Sequence, residues 1–334
     1  MSGGSRGRVL GASAALVLLA AAACGSGAAA RGSNSRSSHR EAMGVPSAAR
    51  KVPVSSDLLY TEGDDVGVLV AAGVKYLAGL GAPARQGHPD WSPDGKSVVF
   101  ETGLTELWKA GAHGEQLTRI HRCRAPCSSV YDAAWSPDGN KIAFAALESE
   151  DGKHTSRTLL KVIDLAAAQV RAVYADLARP DRIVHPRWSP DGASLVFEQD
   201  TMDGFGLHPT RVLSSRIGTV DLKGGKPRFI AFGRTQGPQT PDWGAHGIVF
   251  SRGGNLFSIS PTGGPVHRLT AFNAITQQAI QPTFSPDGSR IVFTYLTRGY
   301  GSAYRPAAAV IKADGGGFAL ISGADGLTQP RLKP

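Results

Sequence analysis

A five-residue turn sequence recurs along the chain and constrains its fold more than any other feature. It reads Trp-Ser-Pro-Asp-Gly at residues 91–95, 135–139 and 188–192, and Phe-Ser-Pro-Asp-Gly at residues 284–288. A degenerate copy, Trp243-Gly244-Ala245-His246-Gly247, lies between the last two. The first residues of the five copies are 44, 53, 55 and 41 positions apart. A unit of that length repeated in tandem is typical of propeller blades or solenoid turns.

The chemistry of the repeat predicts strands on both sides of a tight turn. Pro presets φ at the second turn position, Asp favours the third, and Gly accepts the left-handed conformation. An apolar run such as Val98-Val99-Phe100 follows every copy, so each turn joins two short strands. A further strand pair follows, clearest at residues 256–270 around the turn Pro261-Thr262-Gly263-Gly264. Four short antiparallel strands per unit predict a propeller blade.

The repeat resembles the WD40-like (PD40) repeat of the TolB family, in which Pro-x-Trp-Ser-Pro-Asp-Gly begins each blade. The resemblance covers roughly residues 58–334 and rests on four near-perfect copies. It implies a TolB-like propeller, and in that family the propeller binds partner proteins of the cell envelope. The separate N-terminal α/β domain of the family has no counterpart here, so the family's import role is not carried over.

The two ends of the repeat region predict how the ring closes. Residues 58–80 supply three strands that match the second, third and fourth strands of a blade. Gln329-Pro330-Arg331-Leu332 matches Gln281-Pro282-Thr283-Phe284 at a spacing of 48 and supplies the missing first strand. The predicted fold is therefore all-β, a six-bladed propeller of four-stranded antiparallel blades. One blade is closed by N- and C-terminal strands, which leaves the ring without an open gap.

The N-terminal region predicts export. Arg6 and Arg8 precede a small and apolar run from Val9 to Ala23, whose 15 residues suit a signal peptide and fall short of the ~20 that span a bilayer. Residues 1–23 are the predicted signal peptide, and Cys24 is the predicted lipidation site that anchors the chain to a bacterial cell membrane. The alternative is cleavage after Ala30, which gives a secreted or periplasmic soluble protein. Residues 24–54 lack large apolar side chains and predict a flexible tether before a propeller at residues 55–334.

Composition narrows the classes of function. The net charge is +9, and +7 without the signal peptide, but no run of Lys or Arg forms a stripe, so nucleic acid is not a predicted partner. No phosphate-binding loop and no His-Glu-x-x-His zinc motif occurs. The repeats also leave no room for the hydrolase domain that prolyl-oligopeptidase-type peptidases join to a propeller. The prediction is a monomeric, non-catalytic protein without a cofactor.

Residues repeated in every blade serve the fold, and function is expected where the repeats differ. The tryptophans of the repeats are therefore predicted core residues, and their aspartates are turn residues. The longest insertions, residues 148–157, 199–215 and 296–306, fall between second and third strands and therefore on the face opposite the Ser-Pro-Asp-Gly turns. They carry aromatic and basic residues suited to interfaces. The predicted binding anchors are Phe205, Tyr300, Tyr304 and Arg305.

The residues just before the Pro of each repeat form a predicted polar ring at the channel mouth on that same face. The ring consists of His88, Asp132, His185, Thr240, Gln281 and Gln329. A water-filled channel mouth needs polar residues, so the ring has a structural interpretation. As a ligand site it makes His88, His185, Gln281 and Gln329 candidate binding residues. A lyase family that cleaves oligogalacturonate binds manganese from similar positions, but with two histidines here no metal is predicted.

Cys123 and Cys127 lie in a connection between two blades. Export favours their oxidation, so a local disulfide bond is predicted, and a zinc site with His121 is the alternative. Together these features predict an envelope lipoprotein whose propeller binds envelope proteins or an extracellular ligand. The alternative is a metal-dependent polysaccharide lyase or hydrolase that uses the polar ring.

Overall fold

Twenty-five β-strands make up the regular structure of the residues that the computed structural model describes. These residues are 50–53, 56–70, 73–76, 86–149, 156–176, 181–203, 211–299 and 302–334. The strands form six antiparallel four-stranded sheets, one of which carries an additional fifth strand. The chain is therefore an all-β, six-bladed propeller, as the repeats predict.

The first half of the chain forms three strands of blade 6 and then blades 1 and 2. The first strands are β1 (Lys51–Val52), β2 (Leu58–Glu62), β3 (Asp65–Val70) and β4 (Gly73–Tyr76). Blade 1 consists of β5 (Gln86–Trp91), β6 (Ser97–Thr102), β7 (Glu106–Gly111) and β8 (Thr118–Arg122). Blade 2 consists of β9 (Cys127–Trp135), β10 (Lys141–Ser149), β11 (Ser156–Asp164) and β12 (Gln169–Ala175).

The second half forms blades 3, 4 and 5 and the last strand of blade 6. Blade 3 consists of β13 (Arg182–Trp188), β14 (Ser194–Met202), β15 (Val212–Asp221) and β16 (Arg228–Arg234). Blade 4 consists of β17 (Gln239–Gly244), β18 (Gly247–Arg252), β19 (Asn255–Ile259) and β20 (His267–Arg268). Blade 5 consists of β21 (Gln277–Phe284), β22 (Arg290–Thr297), β23 (Arg305–Lys312) and β24 (Ala319–Asp325), and the chain ends with β25 (Thr328–Leu332).

Blade 6 joins the two ends of the chain, in the strand order β25-β2-β3-β4. β25 pairs antiparallel with β2, with Leu332 opposite Leu58. It also contacts blade 1, because the indole N–H of Trp91 donates a hydrogen bond to the carbonyl of Arg331 at 3.2 Å. The predicted closure by the C-terminal strand is confirmed, and it removes the gap that an incomplete ring would leave.

The hydrophobic core lies between neighbouring blades. Each second strand contributes one fully buried aromatic ring; the six are Tyr60, Phe100, Phe144, Phe197, Phe250 and Phe293. Between blades 6 and 1, for example, Leu59 and Val68 pack with Trp91 and Phe100. Trp91, Trp135 and Trp188 are at most 8% exposed, so these repeated tryptophans are core residues. Burial of this size is the main stabilising contribution.

The Ser-Pro-Asp-Gly turns are alike in all four complete copies. In the first, the Ser92 hydroxyl donates to Asp94 Oδ1 at 2.6 Å, and the amide N–H of Lys96 donates to the same oxygen at 3.0 Å. The amide N–H of Ser97 donates to Ser92 Oγ at 2.9 Å. The same three bonds recur in the other copies. The final glycines have φ between 65° and 73°, a region that glycine enters with little strain.

Two features differ from the boundaries expected from sequence. Lys51–Val52, placed in the tether, form β1 and pair in parallel with Leu320 and Ile321 at the outer edge of blade 5. The two ends of each expected insertion are strand rather than loop: β14 continues to Met202, and β10 and β11 are nine residues each. Cys24, the predicted signal peptide and nearly all of the predicted tether lie outside the described residues. No helix within the described ranges is long and apolar enough to cross a membrane.

Candidate functional site

The six first strands surround the propeller axis and begin at the same end of the channel. We call this end the mouth face, and the opposite end, where the Ser-Pro-Asp-Gly turns lie, the turn face. Each first strand is interrupted by a register shift in its pairing with the second strand. The residue at this position has positive φ, between 44° and 60°, in all six blades. These mouth residues are His88, Asp132, His185, Thr240, Gln281 and Gln329.

At this register shift the amide N–H of each mouth residue points towards the preceding blade. It donates a hydrogen bond to a side chain there. Three acceptors are mouth residues themselves: Gln329 accepts from His88 (3.0 Å), Asp132 from His185 (2.9 Å) and Thr240 from Gln281 (3.3 Å). The other three are second-strand residues: Glu101 accepts from Asp132 (2.9 Å), Glu198 from Thr240 (2.8 Å) and Thr294 from Gln329 (3.0 Å). The two kinds alternate around the ring, so six different side chains satisfy one repeated backbone requirement.

The second-strand acceptors of this ring were not predicted from the sequence; they are Glu101, Glu198 and Thr294. Each lies 13 residues after the mouth residue of its own blade, so a polar residue at that offset is the signal that could have found them. In these three blades the side chain of the mouth residue in turn contacts the second-strand residue at hydrogen-bond distance. His88 Nδ1 lies 2.8 Å from Glu101, His185 Nδ1 lies 3.0 Å from Glu198, and Thr294 Oγ1 donates to Gln281 at 2.9 Å.

His88, Asp132 and His185 each have one potential ligand atom that takes no part in this ring of hydrogen bonds, and the three atoms lie close together. The ring uses Nδ1 of both histidines and Oδ2 of Asp132. The remaining atoms are close: Asp132 Oδ1 lies 3.1 Å from His88 Nε2 and 3.6 Å from His185 Nε2. Oδ1 is buried and accepts no hydrogen bond of normal geometry from the described residues. His88, Asp132 and His185 therefore form a cluster with the geometry of a cation site.

The electrostatics of the cluster follow from its three carboxylates. Burial opposes the charged form of His88, but Asp132 and Glu101 outweigh it and raise the pKa of His88 to about 9. Burial also opposes the charged form of Asp132, yet the two histidines hold the pKa of this carboxyl well below its usual range. Glu198 is buried too, and its contact with His185 lowers the pKa of the Glu198 carboxyl. The carboxylates of Asp132 and Glu198 are thus ionised, and they stabilise positive charge in the cluster.

The opposite side of the mouth presents amide donors. Gln329 Oε1 accepts from the Thr61 hydroxyl at 2.8 Å as well as from His88, and Gln281 Oε1 accepts from Thr294. These bonds leave the two Nε2 amide groups without an acceptor among the described residues, and both side chains line the channel. The mouth can therefore hold a cation on one side and donate hydrogen bonds on the other.

Below the mouth, two arginines of the channel lining form ion pairs. Arg331 lies 3.2 Å from Asp90, and Arg187 lies 3.9 Å from Asp242. Burial and the neighbouring Arg331 lower the pKa of Arg187 to about 10. The cavity left between the mouth and these pairs has a volume of about 30 Å³, which is room for one or two water molecules. A larger ligand must therefore bind at the mouth face rather than inside the channel.

The structure places the predicted loop anchors unequally. Arg305 is exposed at the start of β23. Tyr304 is half-buried: its hydroxyl accepts a hydrogen bond from Gln278 at 2.8 Å and contacts two backbone carbonyls, and Arg298 stacks on its ring at 4.4 Å. Phe205 and Tyr300 lie outside the described residues. Met202, expected in an exposed insertion, is buried within β14.

Cys123 and Cys127 are joined by a disulfide bond at the connection between blades 1 and 2. With both thiols in this bond, they are not available for the zinc site that the sequence left open. The disulfide lies on the mouth face, since this connection links the end of β8 to the start of β9.

Comparison with known proteins identifies the fold and no closer relationship. No protein-family model matches the chain. No curated protein matches its sequence either. Among solved structures, it is similar to a TolB candidate from Agrobacterium tumefaciens, at 18% identity and a TM-score of 0.58, over 80% of this chain and 89% of that one.

Two enzymes have similar propellers. An oligogalacturonate lyase in complex with manganese matches at 16% identity and a TM-score of 0.50, over 81% of this chain and 73% of the lyase. Hydrazine synthase from Kuenenia stuttgartiensis matches at 16% identity and a TM-score of 0.59, over 84% of this chain but 47% of the synthase chain. These likenesses show a TolB-like propeller fold, and the neighbours include enzymes as well as a TolB candidate.

Proposed function

We propose that the chain is an extracytoplasmic, lipid-anchored propeller that binds an envelope protein or an extracellular ligand at its mouth face, without catalysis. The observation that carries the proposal is the difference between the two ends of the channel. At the turn face one set of hydrogen bonds recurs four times, whereas six mouth positions with the same backbone carry four residue types. A surface with varied side chains can discriminate between ligands, and a uniform surface offers little for discrimination.

The exposed residues around the mouth support an interface there. Ile275 is 62% exposed on the connection before β21, next to the Arg298–Tyr304 stack. Arg305 is exposed beside it. Aromatic and Arg residues dominate the binding energy of interfaces, and truncation of one such anchor costs about 2 kcal/mol or more. Because Tyr304 is held by its hydroxyl, Arg305 and Ile275 are the side chains free to contact a partner.

The anchoring half of the proposal has its own test. Replacing Cys24 with Ser removes the only atom of that residue that can carry the lipid. We expect the variant to leave the membrane fraction and appear in the soluble extracytoplasmic fraction. Retention of the variant on the membrane would show that Cys24 is not the anchor.

The binding half is tested once in-cell crosslinking has identified the partner. We expect Arg305→Ala to weaken the affinity about thirtyfold, the equivalent of about 2 kcal/mol. Tyr304→Phe removes the hydroxyl and keeps the ring. It tests whether the hydroxyl, which is held by Gln278 within the protein, contributes to the affinity for the partner. Lys96→Ala with Asn140→Ala on the turn face is the matched control. Normal affinity of the Arg305 variant together with loss in the control would contradict the proposal.

A second candidate function is favoured by the atoms that the ring leaves unused. We infer that His88 Nε2, Asp132 Oδ1 and His185 Nε2 can bind a divalent transition metal. The metal would displace the proton that His88 otherwise carries at neutral pH. The donor set fits, since imidazole and carboxylate together suit manganese, iron or zinc. Glu101 and Glu198 hold the Nδ1–H groups of the two histidines at 2.8 and 3.0 Å, as carboxylates do behind many metal-binding histidines. The manganese complex of the similar lyase makes this site the basis of an alternative enzymatic function on polysaccharide.

In this alternative, the chain's own residues bind and orient a substrate at the mouth. A bound metal would supply Lewis acidity, which polarises a carboxylate or carbonyl oxygen. Gln281 and Gln329 would donate amide hydrogen bonds to oxygens of the substrate from the opposite side of the mouth. The small cavity above the ion pairs of Arg187 and Arg331 would keep the substrate at the surface.

The experiment that separates the two functions is titration of the metal-free protein with manganese, followed by calorimetry. The alternative predicts one site per chain, with loss of at least about tenfold in affinity in Asp132→Asn and in His185→Gln. Asp191→Asn makes the same chemical change in a turn on the opposite face and serves as the control. Equal manganese binding by the Asp132 variant and the control would rule out this site and leave the binding function alone.

A further inference from the structure

A group of arginines marks the outer margin of the mouth face at the junction of blades 1 and 2. We call this group the basic rim; it consists of Arg119 and Arg122 on β8 and Arg124 in the connection to β9. Together with His121 and Ile120 the three arginines line an open groove with a volume of about 360 Å³. None of these residues belongs to the polar ring or to the loop anchors.

The connection that carries the rim is held firmly. The disulfide between Cys123 and Cys127 brackets Arg124, and both sulfurs pack into the core between blades 1 and 2. Two backbone hydrogen bonds attach the neighbouring turn: Cys123 donates to Thr105 at 2.8 Å, and Val130 donates to Leu104 at 2.7 Å. This attachment holds the turn of Leu104, whose side chain is 41% exposed, against the connection that carries Arg124.

The rim keeps an excess of positive charge after its internal pairs are counted. Glu106 is the acidic partner of both Arg119 (3.1 Å) and Arg122 (3.5 Å), so one carboxylate faces two guanidinium groups. These two arginines are 44% and 58% exposed. Arg124 has no acidic partner among the described residues. The nearby Glu148 is paired with Lys161 and so does not compensate the rim.

We propose that the basic rim docks on an anionic phospholipid surface, with the arginines at the phosphate groups and Leu104 inserted between headgroups. Arginine matches phosphate in geometry, because its planar N–H groups can donate to two oxygens at once. Exposed cations beside an exposed apolar side chain are the usual composition of a surface that lies on a membrane interface. The proposal is independent of the partner bound at the mouth and goes beyond the lipid anchor, because it fixes the side of the propeller that faces the membrane.

The membrane is favoured over a soluble phosphate ligand by the shape of the rim. The groove is open and shallow, with no buried side chain that would enclose a small anion. An apolar side chain at its border contributes to membrane binding and adds nothing to the binding of free phosphate.

The test measures partition of the mature chain, without the signal peptide of residues 1–23 and with Cys24→Ser so that no lipid anchor contributes, onto vesicles of phosphatidylcholine with and without phosphatidylglycerol. We expect binding only to the anionic vesicles, weakened by salt. Replacement of Arg119, Arg122 and Arg124 with Ser should reduce the partition coefficient at least about tenfold, since each cation near an anionic surface contributes about fivefold. Leu104→Ser should reduce it by a smaller factor.

The matched control removes three cations from the turn face: Lys223, Lys226 and Arg290, all exposed, are replaced with Ser. This variant should keep its partition coefficient. An equal loss in the rim and control variants would show attraction by net charge alone and overturn the proposal. Displacement of the protein from the vesicles by inorganic phosphate, at constant ionic strength, would assign the rim to a free anion and overturn it as well.

Discussion

The two ends of the channel are made by the same six strands and differ in almost everything else. At the turn face, Ser and Asp make the same hydrogen bonds in four blades, and the φ angles of the four glycines lie between 65° and 73°. At the mouth face, the backbone is just as regular, with positive φ in every blade, but the side chains vary. A backbone conformation that recurs in every blade is therefore one that the fold requires. Side chains that vary on that backbone are not determined by the fold.

The mouth residues show this most clearly because their conformation is unfavourable for them. A non-glycine residue with positive φ carries a strain of about 1 kcal/mol, which glycine would avoid. All six positions are nevertheless non-glycine. Their side chains cap neighbouring N–H groups or orient the caps, and this explains a polar residue at each site. It does not explain why His88, Asp132 and His185 direct their unused atoms at one another.

The largest expected effect separates the fold from the site. Trp188→Ala, in the core near the turn face, removes a buried indole and its hydrogen bond to the carbonyl of Ala134 at 3.0 Å. We expect a loss of about 3–5 kcal/mol in the free energy of unfolding, measured by urea denaturation. The folded fraction should keep its partner and manganese affinities. Loss of binding at a temperature where the variant remains folded would show that the two ends are not independent.

A smaller effect is expected from the mouth itself. Asp132→Ala leaves the buried N–H of His185 without its acceptor and should lower the free energy of unfolding by about 1–3 kcal/mol. Asp132→Asn keeps an acceptor oxygen and should recover most of that loss, while it still lacks the charge that faces the two histidines. Urea denaturation of both variants separates the capping role from the charge. Identical destabilisation in the two variants would contradict the capping role.

The pH dependence of stability should distinguish the two ends at alkaline pH. The pKa of His88 is raised to about 9 in the folded protein, from an ordinary value of 6.5. The stabilisation from its charged form is therefore complete below pH 6.5 and is lost as the pH rises through about 9. His88→Gln should flatten the profile between these values. An unchanged profile in the variant would show that His88 is not the group that titrates.

At acid pH carboxylates at both ends contribute to stability, and each turn aspartate is expected to add a small effect. Hydrogen bonds from Ser285 and Ser289 lower the pKa of Asp287 to about 2, from 3.8. This contribution is present above pH 3.8 and is lost as the pH falls towards 2. Asp287→Asn should therefore flatten the acid part of the unfolding profile slightly and leave the alkaline part unchanged. A change in the alkaline part would contradict the assignment of that part to His88.

The sequence predicts more of the fold than of the site, for a physical reason. Turn residues and apolar runs are local signals, and they repeat, so the blades, their number and closure by residues 329–332 could all be predicted. The mouth residues could be placed in a ring by alignment to the repeat. The contact of His88 and His185 with Asp132, and the role of Glu101 and Glu198, depend on distances across blades that no local pattern contains.

The central claim is that a partner or ligand binds at the mouth face, whereas the turn face serves the fold. Photocrosslinking in intact cells tests this claim most directly. A photoreactive amino acid replaces Arg305 at the mouth face or Asn140 at the turn face, both of which are exposed. We expect a discrete adduct with a partner from position 305 and none from position 140, at equal protein levels. A discrete adduct from position 140 with none from position 305 would contradict it.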